Sequence, residues 1–291
     1  DNVKRTQELN QKLADPTTSS LLKQQIQLEL QLIELKNIYN QVLLKNSDQL
    51  TVLYQSRYEL LNARVQALQK QIAAIQEVIN QKNLAKTQNQ VEQAQQQSQS
   101  IDKNPLIQKE LDLNAHLSQS LLEQTEKINT LTQDELRMRN VLDNLTQTQR
   151  TIDEQISALQ GTLVLSRIIQ QQKQKLPTNL NIQGLSKQIA DLRVQIFDIT
   201  QKRNELYDID AYISKVEQDE NKSFTPAEKT QLTNLLIERR KVLSDLIKSL
   251  NNQLNLAISL ELTQQQITQI SDQIQSKLDQ QSFWVKSNNP I

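Results

Sequence analysis

Residues 128–163 read INTLTQDELRMRNVLDNLTQTQRTIDEQISALQGTL. Within them Ile128, Leu131, Glu135, Met138, Leu142, Leu145, Gln149, Ile152, Ile156, Leu159 and Leu163 follow one another at alternating intervals of three and four. Traced back, the same register passes through Leu121, Leu117, Asn114, Glu110 and Ile107. This alternation draws one narrow stripe along one side of a helix, and a narrow stripe is a seam for a second helix. The spacing predicts a single helix from Asn104 to Lys175, continuous through Gly161, which marks either a bend or a close helix contact. At ~1.5 Å per residue such a helix would be on the order of 100 Å long. It cannot fold back on itself, so other parts of the chain must cover its seam.

Composition points the same way. The 291 residues include 48 Gln but only 2 Gly and 5 Pro, and 3% are aromatic. Glutamine, leucine, lysine and glutamate are good helix formers, whereas so few aromatics cannot fill a thick mixed core. Long thin seams remain as the way to bury apolar surface. The 33 basic residues balance 33 acidic ones, which removes the basic field of a nucleic-acid binder. The short cluster Arg239-Arg240-Lys241 reads as a solvated helix face. No cysteine is present, which rules out disulfide, thiolate–zinc and thiol chemistry. No apolar run is long enough to span a bilayer. A chain that starts at Asp1 and stops at Ile291 reads as a fragment or processed form.

The prolines fall between helical runs, as residues that break a helix interior but fit its first turn. Asp15-Pro16-Thr17-Thr18 is a break after a first helix. Leu21, Gln25, Leu28, Leu32, Leu35, Tyr39 and Val42 make the next seam, and Asn46-Ser47-Asp48 a turn. Leu61, Val65, Leu68, Ile72, Ile75 and Ile79 make a third seam, which fades into the Gln-rich stretch 93–99, expected to be a solvated hairpin tip. Asn104-Pro105 restarts the chain as cap and first-turn residue. Pro177 ends the central run, and Ile182 to Ile213 carries a new seam weakened by Arg203 and Asp210. Thr225-Pro226-Ala227-Glu228 is a capping box with proline at its first helical position. The last helix runs to about Gln281, with its register slipping near Glu261.

The expected fold is all-α, an elongated antiparallel helical bundle of coiled-coil hairpins. The segments are 1–102, long N-terminal helices; 103–177, a central helix forming a hairpin with 48–101; 178–282, a C-terminal helical hairpin; and 283–291, an exit segment leading toward a membrane span outside this sequence.

Little in the sequence suggests transfer chemistry. His116 is the lone histidine, with no cysteine to share a metal, and reads as a surface residue. Asp208-Ile209-Asp210 and Asp219-Glu220 read as capping or solvated acids rather than a cation site. Gly161 and Gly184 are too far apart for a phosphate loop. The chain is therefore read as not an enzyme, with no cofactor and no metal. The exit Phe283-Trp284-Val285 concentrates large apolar side chains after a polar helix. These residues and Pro290 are candidates either for packing the helix end or for a membrane interface, where tryptophan is favoured.

Several stretches carry a resemblance. They are Ile152-Asp153-Glu154-Gln155-Ile156, Leu159 through Ile169 to Leu176-Pro177, Ile189-Ala190-Asp191-Leu192-Arg193 with Phe197 and Arg203, Glu238-Arg239-Arg240, and the exit from Phe283 to Ile291. Together they resemble the N-terminal helical region, the porin-type domain, of the large MscS-superfamily mechanosensitive channels of the MscK and MscM type. The resemblance implies a periplasmic location in a Gram-negative bacterium, attached to an inner-membrane channel that opens under tension in hypo-osmotic shock. It implies a homo-oligomer, a heptamer in this family, and as partners the transmembrane and pore regions of the same protein. Nothing here corresponds to the pore helix, so the expected role is structural or gating-modulating, beside the membrane but not spanning it. The alternative is a periplasmic α-hairpin adaptor or tether that binds a partner protein.

Overall fold

The computed structural model describes residues 2–45, 51–99, 104–178 and 181–287. Its elements are α1 (Asn2–Ala14), α2 (Ser20–Lys45), α3 (Thr51–Gln99), α4 (Pro105–Leu159), α5 (Leu163–Lys175), α6 (Leu185–Glu205), α7 (Ile209–Glu220) and α8 (Pro226–Ser287). Among the described residues there is no strand, and the expected all-α helical bundle holds. The turn assigned to 46–48 lies outside the described residues. The chain forms two compact units, Asp1–Lys86 and Thr87–Ile291, with the boundary in sequence falling inside α3.

In the first unit α1 and α2 reverse at the expected proline break. Asp15 Oδ1 accepts from the Thr17 amide at 2.9 Å and hydroxyl at 2.7 Å, and the Thr18 hydroxyl donates to the Lys12 carbonyl at 2.8 Å. These bonds satisfy helix-end groups that would otherwise be orphaned. Leu9 and Ile26 are buried, and Arg5 pairs with Glu29 at 2.6 Å. Leu32, Leu68 and Ile72 form the core between α2 and α3. Further along, the Tyr39 and Tyr58 rings lie 5.0 Å apart. Partner numbers on α2 rise as those on α3 fall, so the two helices are antiparallel.

The second unit is organised around α8. Its contacts with α4 pair residues whose numbers rise together: Asn114 with Arg239, Gln124 with Gln253, Glu135 with Ser259, Gln149 with Gln273. The two long helices are therefore parallel. Helices α6 and α7 run the other way, with Ser186 against Glu261, the Leu206 carbonyl against Arg240, and Glu217 against Lys229. Direction does alternate along the chain: α4, then α6 and α7, then α8. Two reversals leave α4 and α8 pointing alike. The last turns of α3 lie beside the first of α4, where the Ser98 hydroxyl donates to Asp112 at 2.5 Å and Gln108 to the Ser98 carbonyl at 2.8 Å. Within the Gln-rich stretch 93–99 the side chains are exposed apart from half-buried Ala94 and Ser98, while Thr87 and Val91 just before it are buried.

Three expectations need correction. The helix drawn continuously through Gly161 is two helices, α4 and α5. Gly161 has φ +83°, and a Cβ added there would meet nothing within 4 Å. Its role is the left-handed residue just past the helix C-cap Gln160, a conformation glycine takes without penalty, rather than a close contact. Thr162 satisfies the freed Leu159 carbonyl through its amide at 3.0 Å and its hydroxyl at 2.8 Å. Second, the seam from Ile182 to Ile213 is also broken. Helix α6 stops at Glu205, and Asp208 caps α7 by accepting from the Ala211 amide at 3.1 Å. Third, α8 has no register slip at Glu261. Its buried line runs Arg239, Leu246, Gln253, Leu260, Ile267, Ile274 in unbroken steps of seven. That line includes the polar members Arg239 and Gln253, whereas Ile247 and Leu254 beside it are only half-buried.

The expected caps are present. Asn104 Oδ1 accepts from the Leu106 amide at 3.0 Å ahead of Pro105. Thr225 and Glu228 close the capping box at 3.2 and 3.4 Å.

Candidate functional site

The α4 seam carries polar residues at Glu110, Asn114, Gln124 and Glu135, and the structure buries all four. An unpaired polar group in such a place costs free energy, so each must find a partner. The partners come from α8. Arg239, 4% exposed, donates through Nε to Asn114 Oδ1 at 2.8 Å and through Nη2 to the Glu110 carbonyl at 3.0 Å. The same Nη2 stands 2.5 Å from Glu110 Oε2. That carboxylate oxygen is off the hydrogen-bond direction, so the contact is ionic. Asn114 Nδ2 donates back to the Leu235 carbonyl at 3.0 Å.

The Tyr212 hydroxyl of α7 lies 3.5 Å from Arg239 Nη1. Burial pushes the Tyr212 phenol above its ordinary range, the Glu110 charge adds to the rise, and Arg239 opposes it. Neighbouring Arg240 reaches the Leu206 carbonyl at 3.5 Å, at the C-terminal end of α6, where a cation suits the helix dipole. Three helices are thus tied at one point.

A second polar layer follows two heptads on. Gln253, 1% exposed, donates to Gln124 Oε1 at 2.7 Å and to the Gln124 carbonyl at 3.2 Å. Beyond it the Ser259 hydroxyl donates to Glu135 at 2.8 Å, and Arg139 pairs with the same carboxylate at 2.6 Å. Toward the C-terminal end the rungs become exposed: Gln149 with Gln273 at 3.1 Å, and Lys277 with Asp153. Between the rungs Leu131, Met138, Leu145 and Ile152 share one core with Leu260, Ile267 and Ile274.

The reading of Arg239-Arg240-Lys241 as a solvated face is overturned for its first member. Arg239 is buried and Arg240 half-buried, while Lys241 and Glu238 face solvent. The signal was present as the seven-residue step from Arg239 through Gln253 to Leu260. Polar side chains at those steps masked it. His116 is exposed, as expected.

Phe283 is 81% exposed. Trp284 and Val285 belong to the last turns of α8, and Pro290 lies outside the described residues. Lys173 of α5 pairs with Asp279 at 2.6 Å just before them and holds that carboxyl below its usual range, chiefly by hydrogen bonding. The separation of 124 residues between Asp153 and Lys277, carried on, brings Leu159 level with Phe283. The turn at Gly161 and the aromatic exit therefore stand at the same end of the α4–α8 pair. The exposed side chains Leu163 and Val164 follow that turn directly.

Among the described residues no group of His, Cys, Asp or Glu could hold a metal ion, and no helix is long and apolar enough to cross a membrane. The arrangement is suited to fixing helices against one another.

Comparison with known proteins gives the context. Residues 1–109 match the family described as mechanosensitive ion channel porin domain. Over all 291 residues the chain is 76% identical to an MscS family protein of Haemophilus influenzae, covering 26% of that protein. Over 239 residues, 81% of the chain, it is 36% identical to the mechanosensitive channel MscK of Escherichia coli, covering 21% of it. The chain thus spans about a quarter or less of the length of these relatives.

Proposed function

We propose, for a chain that belongs to the porin-type helical domains of the MscS superfamily, a structural role that biases the opening of a mechanosensitive channel without conducting ions itself. The observation that carries this reading is the likeness to MscK over four-fifths of the chain. The protein of which this chain is part opens under membrane tension in hypo-osmotic shock, and the helices described here lie in the periplasm beside the inner membrane. Their partners are the transmembrane and pore regions of the same polypeptide and further copies of it.

The physical support is twofold. A parallel helix pair closed by matched polar rungs resists sliding, and a rod that resists sliding can transmit displacement along its axis. At one end of the pair, exposed Leu163, Val164 and Phe283 sit beside Trp284 in sequence or in level. Such residues suit a membrane–water interface.

The test is single-channel recording from the full-length protein with and without residues 1–291. The expected result is a shifted tension threshold with unchanged unitary conductance. A changed conductance would assign these residues to the permeation path and overturn the proposal. An unchanged threshold would also overturn it. Capture of a specific outer-membrane partner by the chain, together with an unchanged threshold, would establish the tether reading instead.

A further inference from the structure

The chain contains at least four stripes of leucine and isoleucine at helical spacing, on α2, α3, α4 and α8. By apolar content alone any of them could cover any other. A uniformly apolar heptad seam also tolerates a shift of one heptad, because every leucine meets another leucine after the shift. Yet α4 packs along α8, its partner farthest along the chain, and in one alignment.

The seam is not uniform. Glu110 and Arg239 stand 129 residues apart, and so do Gln124 and Gln253. On that same line α4 continues with Leu131, Met138 and Leu145, and α8 with Leu260, Ile267 and Ile274. Leu117 and Leu246 occupy the layer between the two polar ones and are packed in one core. Along this one line polar positions of α4 meet polar positions of α8, and apolar positions meet apolar ones.

We infer that the Glu110–Arg239 and Gln124–Gln253 layers select α8, in a single heptad register, as the partner of α4. A slip of one heptad sets Arg239 level with Leu117 and Gln253 level with Leu131. Both polar side chains would then be buried without partners, at the same moment as Glu110 and Gln124 lose theirs. Pairing α4 with a wholly apolar stripe would strand Glu110 and Gln124 in the same way. The apolar layers supply attraction; the two polar layers supply discrimination. Asn114 reinforces the first layer by accepting from Arg239 and donating to the Leu235 carbonyl.

This inference concerns the α4–α8 pair itself and stands independently of any role in channel gating. The absence of native cysteine makes it directly testable by disulfide trapping in the 291-residue chain. Gln149 and Gln273 face each other at 3.1 Å on the exposed edge of the seam. Cysteines at Gln149 and Gln273 report the native register. Cysteines at Gln149 and Gln266, or at Gln149 and Gln280, report a slip of one heptad either way. In the otherwise unaltered chain only the native pair should cross-link within one molecule. In the variant Glu110→Leu/Gln124→Leu/Arg239→Leu/Gln253→Leu, the slipped pairs or cross-links between two molecules should rise at least about tenfold, the scale of one mismatched buried polar layer. If that variant folds by circular dichroism and keeps the unaltered pattern, the inference is wrong. If it does not fold, Gln124→Leu/Gln253→Leu decides on the same readout: a several-fold rise supports the inference, and an unchanged pattern overturns it.

Discussion

Arg239 shows how much a single buried charge can ask of its surroundings. Its guanidinium is held by a carboxylate, a carbonyl and an amide oxygen, and removing it strands Glu110 in the seam. Breaking a buried pair from one side costs about 3–5 kcal/mol, whereas replacing both partners by apolar groups is close to neutral. Arg239→Ala should therefore lower the denaturation free energy by about that much, and Glu110→Leu/Arg239→Leu should recover most of it. Arg137→Ala, which removes an exposed pair with Asp134, is the control. A loss no larger than the control's would show that the cluster carries no load. Tyr212 makes a pH prediction at the same point. Its pKa is raised in the folded chain, first by burial and then by Glu110, so the neutral phenol is the form that folding favours. That contribution is fully present below the unfolded value near 10.0 and is lost as pH rises through the folded value. Denaturant midpoints compared at neutral and strongly alkaline pH should fall less for Tyr212→Phe than for the unaltered chain. The polar seam positions on α4 were legible in the sequence, since Glu110, Asn114 and Glu135 lie in the three-four register. Arg239 was not, because its neighbours Glu238, Arg240 and Lys241 are all charged, and only a partner on another helix explains its burial.

At the scale of the element, helix starts were easier to read than helix stops. Asn104-Pro105 and Thr225-Pro226-Ala227-Glu228 announce their helices by groups within four residues of the end, and the structure uses them as such. The end of α4 is harder. A glycine within a sustained register costs about 1 kcal/mol if the helix continues, a penalty that packing can absorb. Alternatively it can serve as the left-handed residue that ends the helix. The structure takes the second course at φ +83°. Gly161→Ala should then destabilise by about 1–2 kcal/mol, the cost of a left-handed conformation for an L-residue, and Gly161→Asn by less, because asparagine tolerates that region. Thermal melts of the two variants check this ordering. If alanine proves stabilising, the bend is not a fixed part of the fold. The break between α6 and α7 has a comparable local cause in the Asp208 cap, although the apolar register continues through it.

At the scale of the molecule, the two ends of the α4–α8 pair differ in character. One end carries the buried charge cluster and the caps at Asn104 and Thr225. The other carries exposed rungs, the Gly161 turn and the aromatic exit. In the full-length protein, Trp284→Ala should alter channel gating or assembly more than His116→Ala, since His116 lies on an exposed face away from both features. Patch recording and native mass measurement of both variants provide the check, and equal effects would leave the exit with no special role. Sedimentation of the 291-residue chain alone should give a monomer or weak oligomer, because α8 covers the longest seam internally. A tight heptamer from this chain would show that its exposed faces drive assembly.

The sequence by itself determined the all-α class, the places where most helices start, and the residues that line each seam. These depend on periodicity and capping, which act over a few residues and leave their pattern in the local order of side chains. It also determined that the chain carries no cysteine chemistry and no basic field. Only the tertiary structure decided which seam meets which, that α4 and α8 are parallel, that α8 keeps one register throughout, and that Arg239 is buried while Lys241 is not. The physical reason is that leucine stripes attract one another almost without distinction. Partner and alignment are set by a few polar side chains, and each of these becomes intelligible only beside the residue it meets more than a hundred positions away.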